Sequence, residues 1–172
     1  LGKFELREEK APYGMVLLKE PVQTKLTYAG EQVKITTVSE TAVNERQKVV
    51  ISLLKKLESD DTYGVGLGEE YKNIRFGLYA AEPLTAADGT EIPQDGLLEI
   101  VGIDENGLAV FTADIPAGAK LYVKEVATDA HYLLSDAVYP VAFDYEDASV
   151  AVIQLVINNG EVIENTIIRG SI

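Results

Sequence analysis

Cysteine is absent from this 172-residue chain. Its absence excludes disulfides, thiolate nucleophiles and cysteine-based metal sites. Histidine occurs once, as His131. A zinc hydrolase site, a histidine-based triad or a two-histidine iron site would need a further partner or a substitute for histidine. Tryptophan is missing and methionine occurs once. Basic residues are scarce: Lys plus Arg is 15 against 28 Asp plus Glu, a net charge of −13. That balance lacks the electrostatic footprint of a nucleic-acid binder and argues against docking on anionic lipid. No apolar run reaches the roughly 18 residues that a membrane-spanning helix needs. No signal peptide is visible. The chain begins mid-pattern at Leu1, which suggests a piece of a longer protein.

What is present is a large apolar fraction, 47% of the residues, in runs of period two. Leu121-Tyr122-Val123-Lys124-Glu125 alternates, and Val150-Ala151-Val152-Ile153-Gln154-Leu155-Val156-Ile157 does so in a mainly apolar way. Val33-Lys34-Ile35-Thr36-Thr37-Val38 is a further β-branched run. These read as strands. Asp88-Gly89, Asp95-Gly96, Asn106-Gly107 and Asn159-Gly160 punctuate them, and the two Asn-Gly pairs predict hairpins. Helix is expected only as a short stretch, near Thr85–Ala87 or Thr41–Arg46. Short strands at this spacing predict an all-β sandwich.

An internal repeat runs through the chain. Phe4-Glu5-Leu6-Arg7-Glu8 aligns with Leu121-Tyr122-Val123-Lys124-Glu125. Val43-Asn44 aligns with Glu164-Asn165, and Asn44 precedes Ile51 by the same interval as Asn165 precedes Ile172. The offset is about 120 residues. The expected organisation is therefore out of phase: residues 1–46 as closing strands of one unit, 47–168 as a complete unit, and 169–172 as the start of the next.

Strand parity singles out three polar residues. Ile51 and Leu53 place Lys55 inside and Ser52 outside. Leu121 and Val123 place Glu125 inside, with Tyr122 and Lys124 outside. Ile163 and Ile167 place Asn165 inside. A buried Lys, Glu and Asn are each costly unless they satisfy one another. Burial drives a lysine amine toward neutrality, in which form it is a nucleophile. A carboxyl in such surroundings is favoured in its protonated form and can pass a proton to departing ammonia. The chemistry available is a single amide cross-link between Lys55 and Asn165, with proximity supplied by the fold.

At this point the sequence resembles a known family. Phe4-Glu5-Leu6-Arg7-Glu8-Glu9-Lys10-Ala11-Pro12-Tyr13-Gly14-Met15 follows the Y-x-L-x-E-x-K-A-P-x-G-Y segment of Cna-B-type (SpaA-like) domains of Gram-positive surface adhesins and pilins. Ile51-Ser52-Leu53-Leu54-Lys55 resembles the opening V-x-L-x-K strand, and Asn73-Ile74-Arg75-Phe76-Gly77-Leu78-Tyr79 the A-x-F-x-L-Y strand. Ile115-Pro116-Ala117-Gly118-Ala119-Lys120-Leu121-Tyr122-Val123-Lys124-Glu125 resembles the L-x-x-G-x-Y-x-V-x-E segment, and Arg169-Gly170-Ser171-Ile172 the linker into a following unit. The resemblance implies a transthyretin-like (prealbumin-like, inverse Ig-type) β-sandwich. It implies an intramolecular isopeptide bond between Lys55 and Asn165, with Glu125 as assisting acid. In the partial unit, Glu8 and Asn44 match the acid and the acceptor. It further implies an extracellular, cell-wall-attached stalk with no cofactor, no metal, no nucleic acid and no membrane insertion. Neighbouring repeats are the expected partners, with a host ligand or a dimer through residues 1–46 as further possibilities.

The pattern is departed from in places. Lys55 is followed by Lys56, a rival nucleophile, and Asn158 and Asn159 are rival acceptors in the expected turn. Ala127-Thr128-Asp129-Ala130-His131-Tyr132 is looser than the family's Ala-Pro-x-Gly-Tyr. Neither a sortase-type L-P-x-T-G signal nor the pilin lysine motif is seen. Gly64-Val65-Gly66-Leu67-Gly68 fits a flexible loop better than a phosphate loop, since no helix pattern follows it. Asp60-Asp61 and Asp144-Tyr145-Glu146-Asp147 fit solvated loops better than calcium sites. The alternative class is a ligand-recognising adhesin module; an enzyme of transthyretin-like fold fits poorly with a single histidine and no cysteine.

Overall fold

A computed structural model describes residues 1–86 and 88–170. Of the expected third-repeat start at residues 169–172, Ser171 and Ile172 lie outside the described residues, and so does Ala87 of the expected helical stretch. The described chain is all-β, with two short 3-10 turns at Glu70–Asn73 and Ile157–Gly160. Two units separate: Leu1–Gln47 with Tyr145–Ala151, and Lys48–Asp144 with Val152–Ile172.

In the first unit, β1 (Gly2–Leu6) pairs antiparallel with β2 (Val22–Leu26). Gln47 is buried to 1% exposure and binds Tyr145–Ala151 into this unit. Its side chain donates to the carbonyls of Asp147 and Val150 at 3.1 and 2.7 Å and accepts from the Glu146 amide at 3.2 Å. Tyr145 packs on the Tyr13 ring, with centroids 5.0 Å apart.

The second unit begins with β3 (Lys48–Leu57), followed by β4 (Arg75–Ala80), the short pair β5 (Leu84–Thr85) and β6 (Glu91–Ile92), and β7 (Leu97–Gly102). It continues with β8 (Leu108–Phe111), β9 (Ala119–Ala127), β10 (Val138–Phe143), β11 (Val152–Val156) and β12 (Ile163–Asn165). One sheet runs β10-β9-β4-β7. The other is built on β3. One edge of β3 pairs antiparallel with β8; the other pairs parallel, first with β11 and then with β12. Alternation puts Val49, Ile51 and Leu53 of β3 inside, against Phe76 and Leu78 of β4 and Leu121 and Val123 of β9. Each such side chain stabilises the sandwich by about 1.5–3 kcal/mol on burial.

Several local expectations are corrected. Residues 33–38 form no strand, and Ile35 is 78% exposed. β propensity needs a partner edge, and among the described residues no strand pairs with this run. Residues 41–46 form no helix, with Arg46 bridged to Met15, and Thr85 stands in β5. Asn106-Gly107 turns the chain, but not into a hairpin: β7 pairs with β4 and β8 with β3. Asn158 and Asn159 do take left-handed conformations (φ 56° and 54°), yet the strands they join both run parallel to β3. Asn159 and Gly160 take the positive φ expected of them, whereas of Asn106-Gly107 only Gly107 does. Which strand each flank would pair with is a non-local matter.

Gly107 shows how tightly that turn is set. Its φ is +83°, and an added Cβ would lie 1.9 Å from the Lys55 carbonyl oxygen. Its own carbonyl accepts from the Lys55 amide at 2.8 Å. Gly107→Ala is expected to cost at least about 2 kcal/mol. A fall in denaturant midpoint at unchanged slope would show it. An unchanged midpoint would mean the turn moves aside freely.

Candidate functional site

Lys55, Glu125 and Asn165 converge between the two sheets. Lys55 continues the inward face of Val49, Ile51 and Leu53, and its side chain has no exposed surface. Glu125 continues the inward face of Leu121 and Val123. A β-bulge beside it, between the Phe76–Glu125 and Arg75–Ala127 pairs, falls at the end of β9 where such features re-aim side chains. Asn165 ends β12 in register with Leu57, two residues beyond Lys55 and on the same face. Parallel pairing therefore sets the two side chains diagonally along one face.

The contacts are close. Lys55 Nζ donates to Asn165 Oδ1 at 2.5 Å and lies 3.5 Å from Glu125 Oε1. Asn165 Nδ2 donates to Glu125 Oε1 and Oε2 at 2.8 and 3.0 Å. The Phe76 ring centroid is 5.9 Å from Nζ. Burial pushes the Lys55 ammonium down from its ordinary pKa, and the Glu125 carboxylate opposes that shift. The amine thus faces a carboxamide carbonyl, while the carboxamide nitrogen faces a carboxyl group.

Two members of the constellation were not singled out in the sequence. Thr128 Oγ1 accepts from Asn165 Nδ2 at 2.9 Å, and the Ser135 amide donates to Glu125 Oε2 at 2.9 Å. Thr128 stands in the segment that departs from the family pattern. Its polar side chain after the acid was the available signal.

The rivals lie elsewhere. Lys56 is 70% exposed in its side chain and 4.0 Å from Glu164. Asn158 and Asn159 are exposed in their turn. Glu8 and Asn44 meet in the first unit, where Asn44 Nδ2 donates to Glu8 Oε2 at 2.7 Å. The glycine-rich loop spends its amides internally: Gly66 and Gly68 both donate to the Glu70 carboxylate at 2.9 Å. His131 is exposed beside Asp129. No group of three or more metal-binding side chains occurs among the described residues.

Comparison with known proteins rests on structure alone. No protein-family model matches the chain, and no curated protein matches it. The Bacillus anthracis TIE protein superposes with a TM-score of 0.50 at 19% identity, over 97% of this chain and 25% of that one. GBS52, the minor pilin of the Gram-positive pathogen Streptococcus agalactiae, gives a TM-score of 0.40 at 16% identity, over 74% of this chain and 49% of that one. BcpA, the major pilin subunit of Bacillus cereus, gives 0.35 at 19% identity, over 70% and 30%. The likeness is one of fold. The likeness to the TIE protein agrees with the all-β sandwich expected from the sequence, and the chain spans only a quarter to a half of these structures.

Beyond the cluster, Glu58 ties down the segment that follows β12. Its carboxylate accepts from Arg169 at 3.0 and 2.8 Å and from the Ile167 amide at 2.8 Å. The Arg169 hydrogen bonds, then the Ile167 amide, bring its pKa from 4.5 down to about 2. A depressed carboxylate contributes stability that is present above the unfolded value and is lost as pH falls through the folded one. The Ile167 amide resonance is expected to titrate near pH 2, and Glu58→Gln should remove that step. A midpoint near the ordinary carboxylate value would contradict the arrangement.

Proposed function

We propose that the chain is a structural repeat segment of a bacterial cell-surface adhesin or pilin-like protein. In this reading, residues 1–46 close a preceding repeat, 47–168 are a complete one, and 169–172 open the next. The complete unit is locked by an amide between Lys55 and Asn165, and the protein stands outside the cell, attached to the wall. The observation that carries the reading is the buried Lys–Glu–Asn cluster, whose lysine and glutamate side chains are 0% and 1% exposed.

The chemistry follows from the contacts. Lys55 passes a proton to Glu125, which leaves a neutral amine. The amine attacks Cγ of Asn165, and the Cγ–Nδ2 bond breaks. Glu125 gives its proton to Nδ2, which it already faces, ammonia departs, and the second proton that the lysine nitrogen sheds on becoming an amide passes to the freed Glu125 carboxylate. One C–N bond forms, one breaks, and nothing is oxidised. The reaction happens once per molecule, so the chain is not an enzyme.

The product suits a protein under tension. β3 opens the unit and β12 closes it, and the two run parallel. Pulling from opposite ends loads such strands in shear. An amide from position 55 to position 165 would carry the force directly and leave the residues between unloaded. No helix among the described residues is long and apolar enough to cross a membrane. Recognition of a host protein or glycan by loops is the alternative role, and the buried cluster favours the structural one.

Two experiments test this. The intact mass should fall short of the sequence mass by one ammonia. Lys55→Ala, Asn165→Ala and Glu125→Ala should each restore the full mass and lower stability. For a closed loop spanning 110 residues the chain-entropy contribution is about 5 kcal/mol. A wild-type chain of unmodified mass would refute the bond. Under single-molecule extension, Asn165→Ala should release a length that the wild type withholds, about 370 Å at full chain extension. Equal lengths would contradict the force-carrying role.

A further inference from the structure

The carboxamide nitrogen of Asn165 has two protons to place, and both have acceptors. Nδ2 donates to the Glu125 carboxylate, at 2.8 Å to Oε1 and 3.0 Å to Oε2, and to Thr128 Oγ1 at 2.9 Å. Oδ1 faces Lys55 Nζ. Turned over about Cγ, the same carboxamide would offer its nitrogen to the amine and its oxygen to the carboxylate. Two acceptors on the Nδ2 side, Glu125 and Thr128, hold it the other way. Within the carboxylate the two oxygens also differ. The Ser135 amide holds Oε2 at 2.9 Å, whereas Oε1 stands between the two nitrogens, 3.5 Å from Nζ and 2.8 Å from Nδ2. Oε1 is therefore the oxygen placed to move a proton from one to the other.

The hydroxyl is particular to the second unit. Counted from the acid, Glu125-Val126-Ala127-Thr128 aligns with Glu8-Glu9-Lys10-Ala11, so a methyl group stands in the first unit where the second has Thr128. In the first unit the further proton of Asn44 Nδ2 goes to the Val16 backbone carbonyl at 3.0 Å.

Thr128 touches the atom whose charge changes most. In the resting amide Nδ2 is a neutral planar donor. Once Nζ has added to Cγ and Nδ2 has received its proton, that nitrogen is an ammonium-like leaving group. Hydrogen bonds from a charged donor are roughly twice as strong as those from a neutral one. An acceptor already aimed at Nδ2 thus gains strength as the Cγ–Nδ2 bond breaks, which lowers the barrier. Thr128 itself gives up no proton and forms no covalent bond. When ammonia departs, its partner in this hydrogen bond leaves with it.

We infer that Thr128 is a catalytic residue of the cross-linking step: its hydroxyl keeps Nδ2 turned toward the acid and stabilises that nitrogen as it leaves. The inference rests on the reading of Lys55 and Asn165 given above.

The test follows the intact mass of the full chain through time after a pulse of isotope label in cell-free synthesis. Wild type should lose one ammonia. Thr128→Val, which keeps the branched shape without the acceptor, should lose it about 10- to 100-fold more slowly. Thr128→Ala, the residue at the aligned position of the first unit, should be slow as well, and Thr128→Ser should restore the rate to within about threefold of wild type. A packing role predicts the reverse order, with valine fast and serine slow. Thr128→Val chains that have finished reacting should have the denaturant midpoint of wild type, because the hydrogen bond is no longer there to lose. Equal rates for wild type and Thr128→Val, a slow Thr128→Ser, or a lowered midpoint in the reacted Thr128→Val chain would each overturn the inference while leaving the amide in place. A wild-type chain that never loses ammonia would overturn it together with the reading on which it rests.

Discussion

A lysine amine with no exposed side-chain surface, set between two β-sheets, is the constraint around which the second unit is organised. An amine there is costly unless its charge is removed or met. β9 brings a carboxyl group, β12 brings a carboxamide, and Phe76 closes one side. The turn at Gly107 reaches the backbone of Lys55 so closely that no side chain fits there. These elements come from sequence positions far apart, so the cluster exists only once both sheets have formed. The covalent closure proposed above would make this costly arrangement permanent.

Much of this was legible because strand parity is local. Ile51 and Leu53 are enough to put Lys55 inside, and Leu121 and Val123 are enough for Glu125; both are 4% exposed. Other features were not local. The alternating residues 33–38 look like a strand, but pairing needs an edge, and nothing in the run itself says whether one exists. Asn106-Gly107 looks like a hairpin turn, yet it carries the chain from one sheet to the other. Thr128 was hidden because its role depends on where Asn165 Nδ2 points. Lys56, adjacent to Lys55 and chemically identical, is separated from it by parity alone.

The topology also bears on how the unit would respond to load. β3 is held on both edges, and its parallel partners on one edge are the last two strands. Force applied along the chain therefore meets hydrogen bonds loaded together rather than one at a time. Cysteine-free sequence fits the same picture, because an amide needs no oxidant to form and resists reductants. The fold-level likeness to the TIE protein is consistent with such a sandwich.

The measurement that bears most directly on this account is tandem mass spectrometry of a proteolytic digest of the wild-type chain. The account predicts a branched peptide in which the Lys55 side-chain nitrogen is joined to the Asn165 side-chain carbonyl. Two separate linear peptides, with Lys55 free and Asn165 an intact carboxamide, would contradict it.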